Sequence, residues 1–498
     1  MNIQFPELIL QNLIHGGDNI ACIINESKKN YRDFGKLVGS IQAKILRTGS
    51  TTIGIVTQNH ISTYAAIIAT WLSGKAYVPI DASYPSERLK SIFEESEITH
   101  VFCAEGSNEM ESKSSEFTPI IWINCSDLPP AAPFNTYPDE NKNAYILFTS
   151  GTTGKPKGVP ISFGNLQCFI NGFNQIGYKL DSTDRFLQMF ELTFDLSVMC
   201  FAIPLTLGAS FYTLPSGMIK TLGLYHTLES HEITFCLMVP SAINLLKPYF
   251  DDIELPSLKY SQFCGEALKF NLVAAWSKCI PNARIDNVYG PTEATIYCTT
   301  QTIDAKSPEL NSLNGIVGIG KPMHEVKVAL FKEKQKIETA GLEAELCIAG
   351  EQVTTGYLNN ELQNSKSFFI HENKRYYRTG DLVVQNKLQE IFYVGRSDDQ
   401  VKIQGFRIEL AEIELAASHI LPAHTSIAIG FQDAAENWML ALFIQNLTAD
   451  PEIIKGEIAS RLPGYMSPNL VLSIAEFPLN SNGKTDKKEL RKYAFSKL

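Results

Sequence analysis

The run from Ala144 to Gly158 reads AYILFTSGTTGKPKG, a strand-like apolar segment that ends in a loop of glycine, threonine and lysine. Such a loop can wrap an anion with backbone N–H groups, which raises the question whether it is a phosphate cradle. It is not the P-loop of nucleotide hydrolases. That pattern needs Gly five residues before a Gly-Lys pair and Ser or Thr after it, and this chain has Thr149 and Pro156 at those places. Between about residues 20 and 240, β-rich runs (TIGIVTQ, AYILFTS, ITFCLMVP) alternate with helical segments such as SERLKSIFEESE. That alternation predicts an α/β body of mostly parallel sheets. Residues 341–395 hold compact strands between Gly and Asn turns, as in a small β subdomain, and the last hundred or so residues read as a small α+β domain. The expected domains are 1–397 and 398–498, with the polar turn at Asp398 as the boundary.

A chain of 498 residues exceeds the roughly 250–300 at which one core stops growing. The net charge of -10 argues against nucleic acid, which selects a basic stripe. The ten cysteines are scattered with no C-x-x-C pair, so neither a zinc site nor a disulfide framework is predicted. No apolar run approaches the roughly 18 residues of a membrane span. The N-terminus MNIQFPELILQNL lacks a basic signal region. A cytoplasmic, monomeric enzyme acting on small molecules, with no membrane insertion, is expected. The basic end from Lys484 to Lys497 is broken by Asp486 and Glu489 and reads as the solvated face of one helix.

Single motifs here are weak, but their order is not. Along the chain stand AYVPIDASYPSERL, LFTSGTTGKPKGV, FDLSV, CGEAL, NVYGPTEAT, ELCIAG, YRTGDL, GRSDDQVKIQGFRIELAEIE and PLNSNGKTDKKEL. The series resembles the adenylate-forming superfamily over nearly the whole chain. Within it, the chain is similar to the amino-acid adenylation enzymes of nonribosomal peptide synthesis and to D-alanine:D-alanyl carrier protein ligases. Two positions depart from the family pattern: Ala344 where Gly is usual, and Phe163 where many relatives have His. Such enzymes bring a carboxylate to the α-phosphorus of ATP. Two anions must meet, so cations and oriented N–H donors matter more than a protein nucleophile.

The resemblance implies roles residue by residue. Thr149, Ser150, Gly151, Thr152, Thr153, Gly154 and Lys155 would form the loop over the β- and γ-phosphates. Asn287 and Tyr289 would meet the adenine, with Val288, Gly290, Pro291 and Thr292 in the same NVYGPTEAT segment, and Glu293 would hold Mg2+. Asp381 would take the ribose hydroxyls, supported by Tyr393 and Arg396. Lys484 would bridge the substrate carboxylate and the α-phosphate. Read alone, Glu293 is a surface acid, and Asp381 and Arg396 could be a structural ion pair.

Asp195 in FDLSV matches the aspartate that amino-acid-activating members set against the substrate ammonium; alone, it would read as a helix N-cap. The remaining pocket positions would be Leu196, Met199, Ser241, Gln262, Cys264, Val288, Ile296 and Tyr297. Leu196, Met199 and Cys264 look like the D-alanyl ligase pocket, whereas Gln262 and Tyr297 are more polar or bulkier than expected there. Cys264 reads as a pocket-lining thiol rather than a nucleophile, because no His is spaced to activate it. D-alanine is the favoured substrate, with glycine, L-alanine, serine and proline as alternatives. No G-x-[DH]-S-L-type site follows Lys484, so the expected acceptor is the phosphopantetheine thiol of a separate carrier protein. Rotation about Asp398 would exchange Lys484 for the Gly405 segment. An acyl-CoA synthetase and a silent nucleotide-binding protein are the competing readings.

Overall fold

Two sheets with parallel centres are built from the apolar runs. The computed structural model describes residues 4–104, 110, 120–125, 128–151, 155–304, 306–307, 311–434, 436–479 and 485–498. A six-stranded sheet runs in the order Ile121–Asn124, His100–Cys103, Thr52–Val56, Ala76–Ile80, Asn143–Thr149, Lys157–Ser162. A nine-stranded sheet has six neighbouring parallel strands: Arg284–Tyr289, Tyr260–Phe263, Phe235–Met238, Arg185–Gln188, Ser210–Thr213 and Ile20–Ile24. Antiparallel strands flank them, Thr299–Ile303 and Lys321–Pro322 on one side and Ser27–Asn30 on the other.

The α/β class read from the alternation is the class found. The reason is visible in two helices. Ile61–Leu72 (ISTYAAIIATWL) is buried at every position, and Leu196–Leu207 is buried over its first ten. A helix apolar on all sides must lie inside, and both join one cluster with Ile55 and Tyr77 of the smaller sheet and Phe211 of the larger. A third, antiparallel sheet contains Lys327–Lys332, Glu343–Ala349, Lys374–Gln385 and Ile391–Arg396. The two departures from the family pattern are both core residues: Ala344 is buried, and the Phe163 ring stacks on Phe5 at 5.8 Å.

The chain divides into two compact units. One comprises Met1–Ala82, Glu95–Leu147 and Gly158–Ser397; the other comprises Ser83–Glu94, Phe148–Lys157 and Asp398–Leu498. The second unit holds the three-stranded sheet Ser426–Gln432, Trp438–Gln445, Leu470–Ile474, with the helices Leu410–Ile420, Pro451–Ala459 and Lys487–Phe495. Asp486 caps the last of these with side-chain bonds from the Lys488 and Glu489 N–H groups. Among the described residues no helix is long and apolar enough to cross a membrane.

Candidate active site

Ligands of open parallel sheets gather beyond the carboxyl ends of the strands. Strand Arg284–Tyr289 delivers Asn287, Val288 and Tyr289 to such an end. Asn287 is buried and donates its amide N–H to the Gly318 carbonyl at 2.9 Å, which leaves its carbonyl oxygen as the group suited to an adenine amine. The Tyr289 hydroxyl donates to Asp381, and burial followed by the Asp381 charge raises the phenol well above its ordinary range, so it remains a donor.

Asp381 faces Arg396 across an antiparallel pair, and the Arg396 guanidinium donates to its Oδ1 and to the Thr379 carbonyl. The two side chains are 4% and 9% exposed. A carboxylate has about four lone-pair sites, so Asp381 retains acceptor capacity for hydroxyl groups. Removing one partner of a buried ion pair leaves the other uncompensated, which costs about 3–5 kcal/mol. Arg396→Ala should therefore lower stability by about that amount in denaturant unfolding. It should also raise the KM for ATP.

After Tyr289 the chain turns back sharply: the Cys298 N–H donates to the Tyr289 carbonyl at 2.8 Å. Gly290 is required for that reversal, because a Cβ there would lie 2.3 Å from the Tyr297 Cα. Pro291 and Thr292 lead into the short turn Thr292–Ala294, which buries Glu293 completely. Glu293 Oε1 accepts from the Tyr357 hydroxyl at 2.6 Å, and its backbone carbonyl accepts from the Thr354 N–H at 2.9 Å. No group of three potential metal-ligating side chains exists among the described residues. A single oriented carboxylate matches Mg2+, which keeps water and substrate phosphates as its other ligands. Glu293 is the residue that would hold it.

The expected pocket positions are mostly core residues. Leu196, Met199, Cys264, Val288, Ile296 and Tyr297 all belong to one buried cluster. Asp195 stands at the N-cap position of Leu196–Leu207, is 4% exposed and makes no capping bond to that helix. Burial first, and the Asp195 charge after it, raise the Tyr145 phenol well above its usual range, and Asp195 also contributes to raising Tyr77. Both hydroxyls are buried without a hydrogen-bond partner. Gln262 donates to the Tyr178 hydroxyl at 2.6 Å and lies 3.3 Å from the Tyr297 hydroxyl. Tyr178 in turn donates to Asp286 at 2.9 Å, and Phe169 meets the Tyr297 ring edge-on at 4.9 Å. Ser241 differs from its neighbours: its hydroxyl and N–H are both bound by Glu266, at 3.0 and 2.8 Å.

The second unit contains other expected groups. Thr149 ends its strand, and the Ser150 hydroxyl donates to the Arg407 carbonyl at 2.8 Å. Gly151 N–H reaches Glu412 at 3.3 Å, and Glu412 pairs with Arg88 at 2.8 Å, both side chains being almost fully buried. A Cβ on Gly151 would meet the Lys155 carbonyl at 2.0 Å, so the position has room only for glycine. Lys155 is exposed. Asp398 opens the unit's third segment and accepts from the Gln400 N–H at 3.3 Å, and Gly405 takes φ 84° in the turn between Gln400–Ile403 and Phe406–Glu409. Thr152, Thr153, Gly154 and Lys484 lie outside the described residues. In the first unit, Tyr393 lies on Ile391–Arg396 opposite Val383.

Sequence reasoning missed Tyr357, Gln352, Tyr77, Tyr145 and Tyr178. Gln352 and Tyr357 stand in GEQVTTGYLNN, beside the ELCIAG motif, and Tyr77 and Tyr145 stand inside AYVPIDASYPSERL and AYILFTS; those positions were the available signals.

Residues 14–358 match the family model described as AMP-binding enzyme. The chain belongs to this family of adenylate-forming ligases. One of the linear gramicidin synthase subunits of Brevibacillus parabrevis is 31% identical over 95% of the chain, which spans only 9% of that protein. D-alanine--D-alanyl carrier protein ligase of Bacillus licheniformis is 30% identical, covering 95% of this chain and 96% of the relative. Among solved structures, the Vibrio cholerae adenylation domain AlmE in complex with glycyl-adenosine-5'-phosphate superposes with TM-score 0.87 at 25% identity, covering 100% of this chain and 98% of that one.

Proposed function

We propose that this enzyme activates a small amino acid, D-alanine first, as its adenylate and passes it to the phosphopantetheine thiol of a carrier protein. The observation that carries this reading is the buried Asp195 carboxylate at the start of Leu196–Leu207, with Cys264, Val288, Ile296 and Tyr297 in the same cluster as that helix. A fatty or aryl acid has no use for a buried anion, whereas an ammonium compensates one. In the first half-reaction a substrate carboxylate oxygen attacks the α-phosphorus, the bond to the bridging oxygen breaks, and pyrophosphate leaves. Bound Mg2+ would neutralise phosphate charge beside Glu293. Asp195 holds the ammonium, Asp381 and Arg396 orient the ribose, and Lys484 bridges the two reacting anions. In the second half-reaction a thiolate attacks the acyl carbon and AMP departs. The carrier assignment is supported by the D-alanyl carrier protein ligase relative.

A second substrate, glycine, is favoured by Tyr297. Its ring is fully buried and tied to Gln262 and Phe169, which takes up volume on the side-chain wall, and the AlmE relative carries a glycyl adenylate. An ATP–pyrophosphate exchange panel with glycine, both alanine enantiomers, serine and proline tests the reading. D-alanine or glycine should give the highest kcat/KM. Exchange that depends on a fatty or aryl acid, and on no amino acid, would overturn it.

A further inference from the structure

Two consecutive residues beside Glu293 have backbone conformations that their side chains disfavour. Thr295 has φ 56° and Ile296 φ 72°, and neither is glycine. A β-branched residue in the left-handed region is a genuine outlier that persists only when its surroundings impose it. The imposing group is Gln352, a fully buried side chain. Its amide nitrogen lies 2.8 Å from the Ala294 carbonyl, 3.0 Å from that of Thr295 and 2.5 Å from that of Tyr297. Its backbone carbonyl accepts from the Thr295 hydroxyl at 2.6 Å. One side-chain amide, with two N–H groups to share, thus lies against three carbonyls of the segment.

We infer that Gln352 is a positioning residue that holds the strained 294–297 segment, setting Glu293 on one side of it and the Ile296–Tyr297 pocket wall on the other. The inference rests on the amino-acid reading above for its substrate side. Glycine at 295 or 296 would adopt these angles without strain, but at 296 it would also remove a wall residue. The chain keeps Ile296 and restrains it from across the fold. The Thr354 N–H bond to the Glu293 carbonyl, two residues along from Gln352, extends the same restraint. Metal-side and acid-side geometry therefore share one anchor.

The test compares wild type, Gln352→Ala and Gln352→Ala/Thr295→Gly, in pyrophosphate exchange, in MgATP affinity by calorimetry and in thermal unfolding. Misplacing reacting groups by about 1 Å can cost about 100-fold. Gln352→Ala should raise the amino-acid KM by roughly 10- to 100-fold and shift the glycine to D-alanine ratio. It should also weaken MgATP binding through Glu293. Thr295→Gly, which removes strain without touching the pocket wall, should recover most of the loss. A lower melting temperature with KM, ratio and MgATP affinity unchanged would mean that Gln352 only fills space and would overturn the inference. So would the absence of rescue. If Gln352→Ala does not fold, Gln352→Glu, which fills the same space without N–H donors, takes its place. A wild type inactive with every amino acid sinks the proposed function instead, and MgATP affinity then decides the role of Gln352 alone.

Discussion

Asp195→Ala should cut amino-acid-dependent exchange by roughly 30- to 5,000-fold, the range that about 2–5 kcal/mol represents for truncating one member of a desolvated charge pair. The carboxylate is nearly inaccessible to water, so solvent cannot replace it as the partner of an ammonium. Its removal should not cost the helix its cap, because Asp195 makes no capping bond to Leu196–Leu207. MgATP affinity should stay at the wild-type value, since Asn287, Tyr289, Asp381 and Arg396 come from other strands. Asp195→Asn, which keeps the shape and loses the charge, should share most of the defect. An exchange rate equal to wild type in both variants, or an equal loss of MgATP affinity, would remove Asp195 from the ammonium.

The second large effect is expected at Lys484. Bringing a carboxylate onto a phosphate concentrates negative charge in the transition state, and one well-placed donor is worth about 100- to 1,000-fold. Lys484→Ala should slow adenylate formation by about that factor. Thioester formation from a supplied aminoacyl-adenylate should remain close to wild type if, as the family resemblance implies, that step uses the Gly405 segment in place of Lys484. Equal losses in both half-reactions would contradict the division of labour. Chromatographic measurement of AMP and of loaded carrier separates the two.

The family is legible in the amino-acid order, because its mark is a set of short motifs in a fixed order: TSGTTGKPKG, NVYGPTEAT, YRTGDL. Core elements are legible too, since alternation and periodicity are local consequences of burial. The partners of the motif residues are not. Tyr357 meets Glu293 across 64 positions, and Tyr289 meets Asp381 across 92. Strand register and loop reversal decide such meetings, and neither is encoded by spacing.

What the amino-acid order determined by itself was thus the α/β class and the adenylate-forming family, each a property of segments a few residues long. Tertiary structure alone decided that Gln262 and Tyr297 share a hydrogen-bonded wall and that Arg88 and Gly151 lie in one compact unit with Glu412. It also decided that the Gln352 side-chain amide meets the Ala294, Thr295 and Tyr297 carbonyls. The physical reason is the same in each case. A buried polar group must find a partner wherever the folded chain brings one, and a strained backbone survives only where distant residues enforce it.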